Sequence, residues 1–331
     1  MELRQFKYFL SIVDSGSLSR AAQHLHVAQS ALSKQVAELE LELKVKLLLR
    51  SRNGVEVTEA GKVFYEYAQG ITKQIEDAKA AVHCPANAVV GSVVVALPQS
   101  VATTIALPLL RAVAMRYPDV EFHLNEELTG NMADQMLRGR VDVAIFTDAL
   151  SPDGIVFTPL VEEAFVLLHA ANDPHAPPPG DVAIELAVAR PLVLASAAHS
   201  HCTRWIVDAA LDAAGLPPQR AAVEINSVQI LKNAVEAGIG PTIMPMGLAQ
   251  REVAEGRLIA HYIASGGIHR TLGLCVSQHL PMTNAKRAIC ELIGSVIGEL
   301  CDQGQWAGAR RTSRRASNLT VSLNNANILV P

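Results

Sequence analysis

Five cysteines, at positions 84, 202, 275, 290 and 301, are scattered through 331 residues without a single Cys-x-x-Cys pair. The odd total and wide spacing exclude a disulfide framework and a structural zinc site, and they fit a reducing cytoplasm. No run of about 18 apolar residues is free of breaks, so no membrane-spanning helix is expected. The opening residues place Arg4 and Lys7 within an amphipathic period rather than an apolar leader, so no signal peptide is expected. Gly61-Lys62 has no upstream glycine to make a phosphate-binding loop, no Gly-x-Ser-x-Gly elbow occurs, and no Gly-x-Gly-x-x-Gly follows a strand. His199-Ser200-His201-Cys202 brings two imidazoles and a thiol together but has no partner pair at ligand spacing. It reads as a polar loop at a helix start. Catalysis, metal and cofactor are all left without a motif, and none is expected.

Half of the residues are hydrophobic, ample for a core, and the length suggests about two domains. The net charge of −4 is unevenly placed. Residues 1–57 hold eight Lys/Arg against six Asp/Glu, a balance of +2, so the remainder carries −6. A mildly positive head on a negative body still steers the head toward a polyanion. So small an excess means that tight binding requires several heads at once.

That head has a clear pattern. Leu18, Ala21, Ala22 and Leu25 lie on one face of a short helix, and after a break near residues 26–28 a second stripe runs Leu32, Val36, Leu39, Leu43. Phe6, Phe9, Leu10 and Val13 supply a third helix to close the core. Two short helices with alanines at the close approach make a helix-turn-helix. The alternative is a plain helical bundle with a solvated face. On the second helix the opposite face carries Gln29, Ser30, Ser33, Lys34 and Gln35, side chains able to bond base edges and phosphates. Asn53-Gly54 between two short β-capable runs marks a hairpin, with Arg50 and Arg52 on its ascending arm as a phosphate clamp. A long helix from 58 to about 83 follows, stopped at Cys84-Pro85. Its seam of Phe64, Tyr67 or Ala68, Ile71, Ile75, Ala78 and Val82 reads as a dimerisation helix, the alternative being a helix packed on the next domain.

These residues resemble the DNA-binding domain of the LysR-type transcriptional regulators. The family's Leu-Arg-x-Leu-x-Tyr-Phe opening is matched by Leu3-Arg4-Gln5-Phe6-Lys7-Tyr8-Phe9, and its Gly-Ser-x-x-x-Ala-Ala-x-x-Leu by residues 16–25. Its Ser-Gln-Pro-Ala-Leu-Ser becomes Ala28-Gln29-Ser30-Ala31-Leu32-Ser33, and its Leu-Thr-Glu-Ala-Gly becomes Val57-Thr58-Glu59-Ala60-Gly61. The Ala-Gln form is similar to the nitrogen assimilation control branch of the family. Ser30 stands for the family's proline at the first turn and can cap that turn instead. Leu48 stands for a phenylalanine, and Ala28 for a serine able to hold a phosphate.

From Gly91 onward β-rich runs alternate with helical ones, the mark of α/β folds with mostly parallel sheets. The resemblance implies a periplasmic-binding-protein-like effector domain of two subdomains joined by two crossover strands. Loops at strand ends should line its cleft: Gln99, Ser100 and Val101, then Thr129 and Phe146, then Ser196, His201, Thr203, Ser227 and Thr242. Hydroxyls and N–H groups at helix starts suit a small anion, although the same residues serve as plain caps.

The expected fold class is therefore α/β, with an N-terminal winged helix-turn-helix (1–58), a linker and dimerisation helix (59–86) and a two-subdomain effector domain (87–301). Subdomain I is assigned to 91–161 and 269–301, and subdomain II to 162–265. The tail, 302–331, has four arginines against Asp302 and no period, and disorder is expected in it after about Ala309. The resemblance implies a homodimer or homotetramer on promoter DNA, responsive to a small-molecule effector and in contact with RNA polymerase. Gln29, Ser30, Ser33, Lys34, Arg50 and Arg52 would form the DNA face. Two other readings stay open: a ligand-free oligomerisation body on the same head, and an α/β enzyme carrying it.

Overall fold

The computed structural model describes residues 1–51, 54–83, 88–127, 129–147, 153–195, 202–219, 221–264 and 267–312. They form two units, Met1–Gly91 with Leu137–Arg140, and Ser92–Met136 with Val141 onward.

In the first unit the helical stripes become one core. α1 (Leu3–Ser15) turns Phe6, Phe9 and Ile12 inward, α2 (Leu18–His24) turns Ala21 and Ala22, and α3 (Gln29–Leu43) turns Leu32, Val36 and Leu39. Gly16 ends α1 in the left-handed region at φ +61°, which a glycine adopts without strain. β1 (Leu48–Ser51) and β2 (Gly54–Val57) form the hairpin, Leu48 opposite Val57. The Val55 N–H donates to the Gly16 carbonyl at 3.1 Å, fastening the hairpin to the α1–α2 corner.

α4 (Glu59–His83) begins under tight constraint. The Thr58 hydroxyl donates to the Lys46 carbonyl at 2.7 Å and accepts from the Gly61 N–H at 2.9 Å, capping the helix. A Cβ on Gly61 would lie 2.1 Å from the Leu47 carbonyl oxygen, so only glycine lets α4 pass this close to the wing. The expected seam needs correction at its first position. Phe64 packs against Phe6 and Phe9, with ring centroids 5.3 and 5.1 Å away, and so serves the head's own core. Tyr65 donates to Asp14 at 2.5 Å. Burial and this carboxylate push its phenol up to about 12.

Glu40 is the polar member of the head's interior, 6 % exposed. One carboxylate oxygen accepts from the N–H groups of Leu47 and Leu48 at 3.0 and 3.1 Å, and the other meets Lys46 Nζ at 2.6 Å. Burial raises its pKa, but the hydrogen bonds from Lys46, Leu48 and Leu47 outweigh that and hold it below the usual carboxylate range.

In the second unit β3 (Gly91–Leu97), α5 (Gln99–Arg116), β4 (Val120–Glu126), α6 (Thr129–Leu137) and β5 (Val143–Thr147) come first. β6 (Ile155–Ala170) follows, then α7 (Ile184–Ala187), β7 (Leu192–Ala195), α8 (Cys202–Ala213), β8 (Ala221–Ile225), α9 (Val228–Glu236), β9 (Thr242–Pro245) and α10 (Met246–Ala254). β10 (Leu258–Tyr262), β11 (His269–Ser277), α11 (Asn284–Asp302) and β12 (Ala309–Arg311) complete it. The sixteen-residue β6 belongs to both halves: residues 155–164 pair with β11, and residues 165–170 pair with β9 and β10.

The main sheet is mixed, not mostly parallel, and β7 and β8 form a two-stranded sheet of their own. β3 with β5 and β7 with β8 run parallel, whereas β11 runs antiparallel to β5 and β6, and β9, β10 and β12 run antiparallel to β6. The cause is the double crossing. β6 leaves the first half and β11 returns to it, so the two lie side by side in opposite directions.

In the tail, order continues a few residues past Ala309, the boundary after which disorder is expected. Residues 303–312 leave α11, bury Trp306 to 1 % exposure, and add β12 to the edge of β6, with Arg310 opposite Glu162. A large indole and a free strand edge supply what a basic composition conceals. The remainder, 313–331, lies outside the described residues.

Replacing Glu40 by Ala strands two buried N–H groups and should lower the stability of the head by about 2–3 kcal/mol, read as an earlier first transition in urea unfolding. Because the folded carboxyl is depressed, the wild-type contribution is complete above the ordinary Glu range and fades as pH falls through the folded value. The difference between wild type and variant should shrink on acidification below pH ~4.5.

Candidate nucleic-acid interface and effector site

α3 starts on an uncapped Ala28, so Ser30 sits inside the first turn with its side chain exposed and does not act as the cap. Gln29, Ser30 and Lys34 are exposed along one face and Ser33 is half-buried beside them. The helix buries Leu32, Val36 and Leu39 behind that face, which fixes its outward aspect. Glu38 is the residue that sequence reasoning missed here. It accepts from Gln35 Nε2 at 2.8 Å and lies 3.9 Å from Lys34 Nζ, so the face carries its own counter-charge. Four residues of spacing was the available signal. The side chain of Arg50, and Arg52 entirely, lie outside the described residues.

The candidate effector residues divide sharply. Ser100, in the first turn of α5, is buried and meets a guanidinium: Arg270 Nη2 donates to its hydroxyl at 2.9 Å. Gln99, at the start of the same helix, is half-buried, and its carbonyl accepts from the Thr103 hydroxyl at 2.8 Å. Val101 and Phe146 turn out to be packing residues. Both are wholly buried, and Phe146 sits among Met132, Met136, Ala144 and Cys275 because the strand carrying it is covered on both faces. Thr242 is buried on β9 opposite Leu168. The Ser227 hydroxyl accepts from the Ile230 N–H at 3.4 Å and is a plain helix cap. Thr203 is half-buried in the first turn of α8. Ser196, His201 and the side chain of Thr129 lie outside the described residues.

Arg270 belongs to a polar cluster that the sequence reading did not find. It is the direct cross-strand partner of Glu163, the two Cα atoms opposed between β11 and β6. Arg270 Nε and Nη2 both donate to Glu163 Oε2, at 2.8 and 2.5 Å, with both side chains essentially without solvent exposure. The second oxygen, Oε1, accepts from Trp306 Nε1 at 3.0 Å. The guanidinium lies over the Phe165 ring, 5.7 Å from its centroid. Gly247, near the start of α10, leaves room for the indole, for a Cβ there would lie 2.8 Å from Trp306 Nε1. A signal did exist. Glu163 shares strand parity with Val161, Phe165 and Leu167, and Arg270 with Leu272 and Leu274, so both charges stand at inward positions.

Among the described residues there is no cluster of three or more metal-ligating side chains, and no helix long and apolar enough to cross a membrane.

Residues 3–62 match the family description "Bacterial regulatory helix-turn-helix protein, lysR family", and residues 86–297 match "LysR substrate binding domain". The chain is 32 % identical over 298 residues to the nitrogen assimilation regulatory protein nac of Klebsiella aerogenes, covering 90 % of this chain and 95 % of that one. Its fold is similar to a full-length OxyR variant from Pseudomonas aeruginosa, with TM-score 0.70 and 21 % identity over 95 % of this chain and 99 % of that one. It is similar also to full-length CbnR solved in complex with its target DNA, with TM-score 0.52 and 22 % identity over 90 % of this chain and all of that one.

Trp205 is 46 % exposed and Trp306 is 1 % exposed, and the sequence has no other tryptophan. Acrylamide should therefore quench the wild-type emission in part, while Trp205→Phe should leave a blue-shifted emission that is barely quenched. An easily quenched, red-shifted residue in that variant would show that the 303–312 segment does not pack in solution.

Proposed function

The chain belongs to the LysR family of transcriptional regulators, which are not enzymes, and we propose that it binds promoter DNA through α3 and adjusts that binding to a small anionic effector. The observation that supports this most is the outward face of α3, where Gln29, Ser30, Ser33 and Lys34 stand together on the first two turns. Gln29 and Ser33 read base edges in the major groove. Lys34, Arg50 and Arg52 hold phosphates and Ser30 borders them.

In this reading residues 1–58 are the DNA-binding head, 59–86 the linker, and 87–301 the effector domain divided as the sequence suggests. Two chains pair through the linker helix. Ile71 at 40 % and Val82 at 81 % exposure are the seam positions that a second copy would cover. Dimers join into a tetramer that engages two half-sites, contacts RNA polymerase and works in the cytoplasm. The effector acts in the cleft beside Ser100 and Gln99, where hydroxyl and helix-start N–H groups favour an anion.

Gln29→Ala should relax sequence preference, with a loss of about 1–3 kcal/mol confined to the cognate site. Arg52→Ala should weaken binding evenly on cognate and random DNA and lower the salt slope by about one. Competition binding over a range of salt concentrations measures both. Equal losses on both DNAs for both variants would contradict the division of roles.

A further inference from the structure

Two histidines are buried together where β6 meets β10. Ile259 is opposite His169 and Leu167 is opposite His261, so the two imidazoles are diagonal neighbours on one face of the strand pair. They are 1 % and 4 % exposed and stack with ring centroids 5.1 Å apart. Their Nε2 atoms stand 2.9 Å from each other. His169 Nδ1 is 2.8 Å from the Ala170 carbonyl oxygen, and His261 Nδ1 is 2.8 Å from that of Gly180. A carbonyl only accepts, so each Nδ1 carries a hydrogen. Two neutral rings would then aim two bare Nε2 lone pairs at each other, and two cationic rings would aim two N–H groups at each other. One proton between the Nε2 atoms satisfies all four nitrogens, at an ordinary hydrogen-bond distance.

We propose that His169 and His261 form an acid-sensitive latch, closed by one shared proton and opened by a second, which parts β10 and the segment at Gly180 from the end of β6. What moves is set by the bonds around the pair. The Val182 N–H donates to the Tyr262 carbonyl at 2.9 Å and the Ala264 N–H to the Val182 carbonyl at 2.7 Å, so the 180–182 segment travels with β10. Asp173, just after β6, is the charged group that faces the pair. Burial raises its pKa, but the His175 N–H, Arg190 and the charge of His169 outweigh that and hold it below the usual range. It is already engaged, by Arg190 Nη1 at 2.8 Å and by the His175 N–H at 2.9 Å, and so does not reach in to neutralise a second charge. Arg257, at the foot of β10, is bonded to Glu236 and Glu255. His175, Asp181 and Glu185 are exposed, and β9 carries no titratable side chain. As pH falls below the ordinary imidazole range, about 6.5, the freed rings take up two protons while the closed latch keeps one. The open state binds more protons, so closure weakens on acidification, by about tenfold for each further pH unit.

Amide hydrogen exchange of the full chain, read by mass spectrometry and corrected for the intrinsic effect of pH, tests the latch. Between about pH 7.5 and 5, wild-type peptides covering residues 258–264 should lose protection by about tenfold or more, while those covering β5 keep theirs. His169→Gln should abolish the selective loss. A glutamine amide offers either its N–H or its oxygen to His261 Nε2, and so accommodates that ring with or without the extra proton. Unchanged protection of 258–264 in wild type would overturn the latch, as would a loss shared equally with β5 or the same selective loss in His169→Gln. If His169→Gln does not fold, His261→Gln makes the same substitution from the other strand, and the wild-type contrast between 258–264 and β5 decides without either variant.

Discussion

A glutamate and an arginine placed opposite each other on two antiparallel strands govern the second unit. Glu163 and Arg270 are register partners, and each lies on a strand that crosses between the halves. Burying two charges costs several kcal/mol each, and their attraction offsets that cost only when the remaining polar atoms are also satisfied. Here Trp306 and Ser100 are among the groups that satisfy them. The pair therefore contributes less to net stability than to uniqueness. A shift of one residue between β6 and β11 would put the two charges on opposite faces of the sheet and break the Arg270–Glu163 pair. The antiparallel crossing of the two strands is thus pinned by chemistry as well as by apolar pattern.

The head uses the same device on a smaller scale. Glu40 lies in an apolar helix face and receives the first two N–H groups of the wing, at the point where the chain turns out of α3 toward β1. Lys46 neutralises it from the exposed side. Gly61 then admits the start of α4 against the same carbonyl, that of Leu47, which Thr58 also uses. Helix, wing and linker are in this way fastened within a few residues of one another. This suits the DNA contact proposed for α3, since a displacement of about 1 Å at its base would be carried along its exposed face.

Much of this was readable in advance, because helical period and turn chemistry are local. The Leu18, Ala21, Ala22, Leu25 stripe and the Asn53-Gly54 hairpin signal need no knowledge of the rest of the chain. What could not be read is what depends on partners. Strand direction is not encoded in hydrophobic period, so the alternation of β-rich and helical runs suggested mostly parallel sheets. Phe64 has the spacing of a seam, and only the positions of Phe6 and Phe9 assign it to the head. The 303–312 segment has arginines and no period, yet Trp306 finds a slot made by Gly247, 59 positions earlier. Of the candidate site residues, Ser100 was legible as a hydroxyl following a strand. Its partner Arg270 is 170 positions away in sequence and could be found only by counting strand parity.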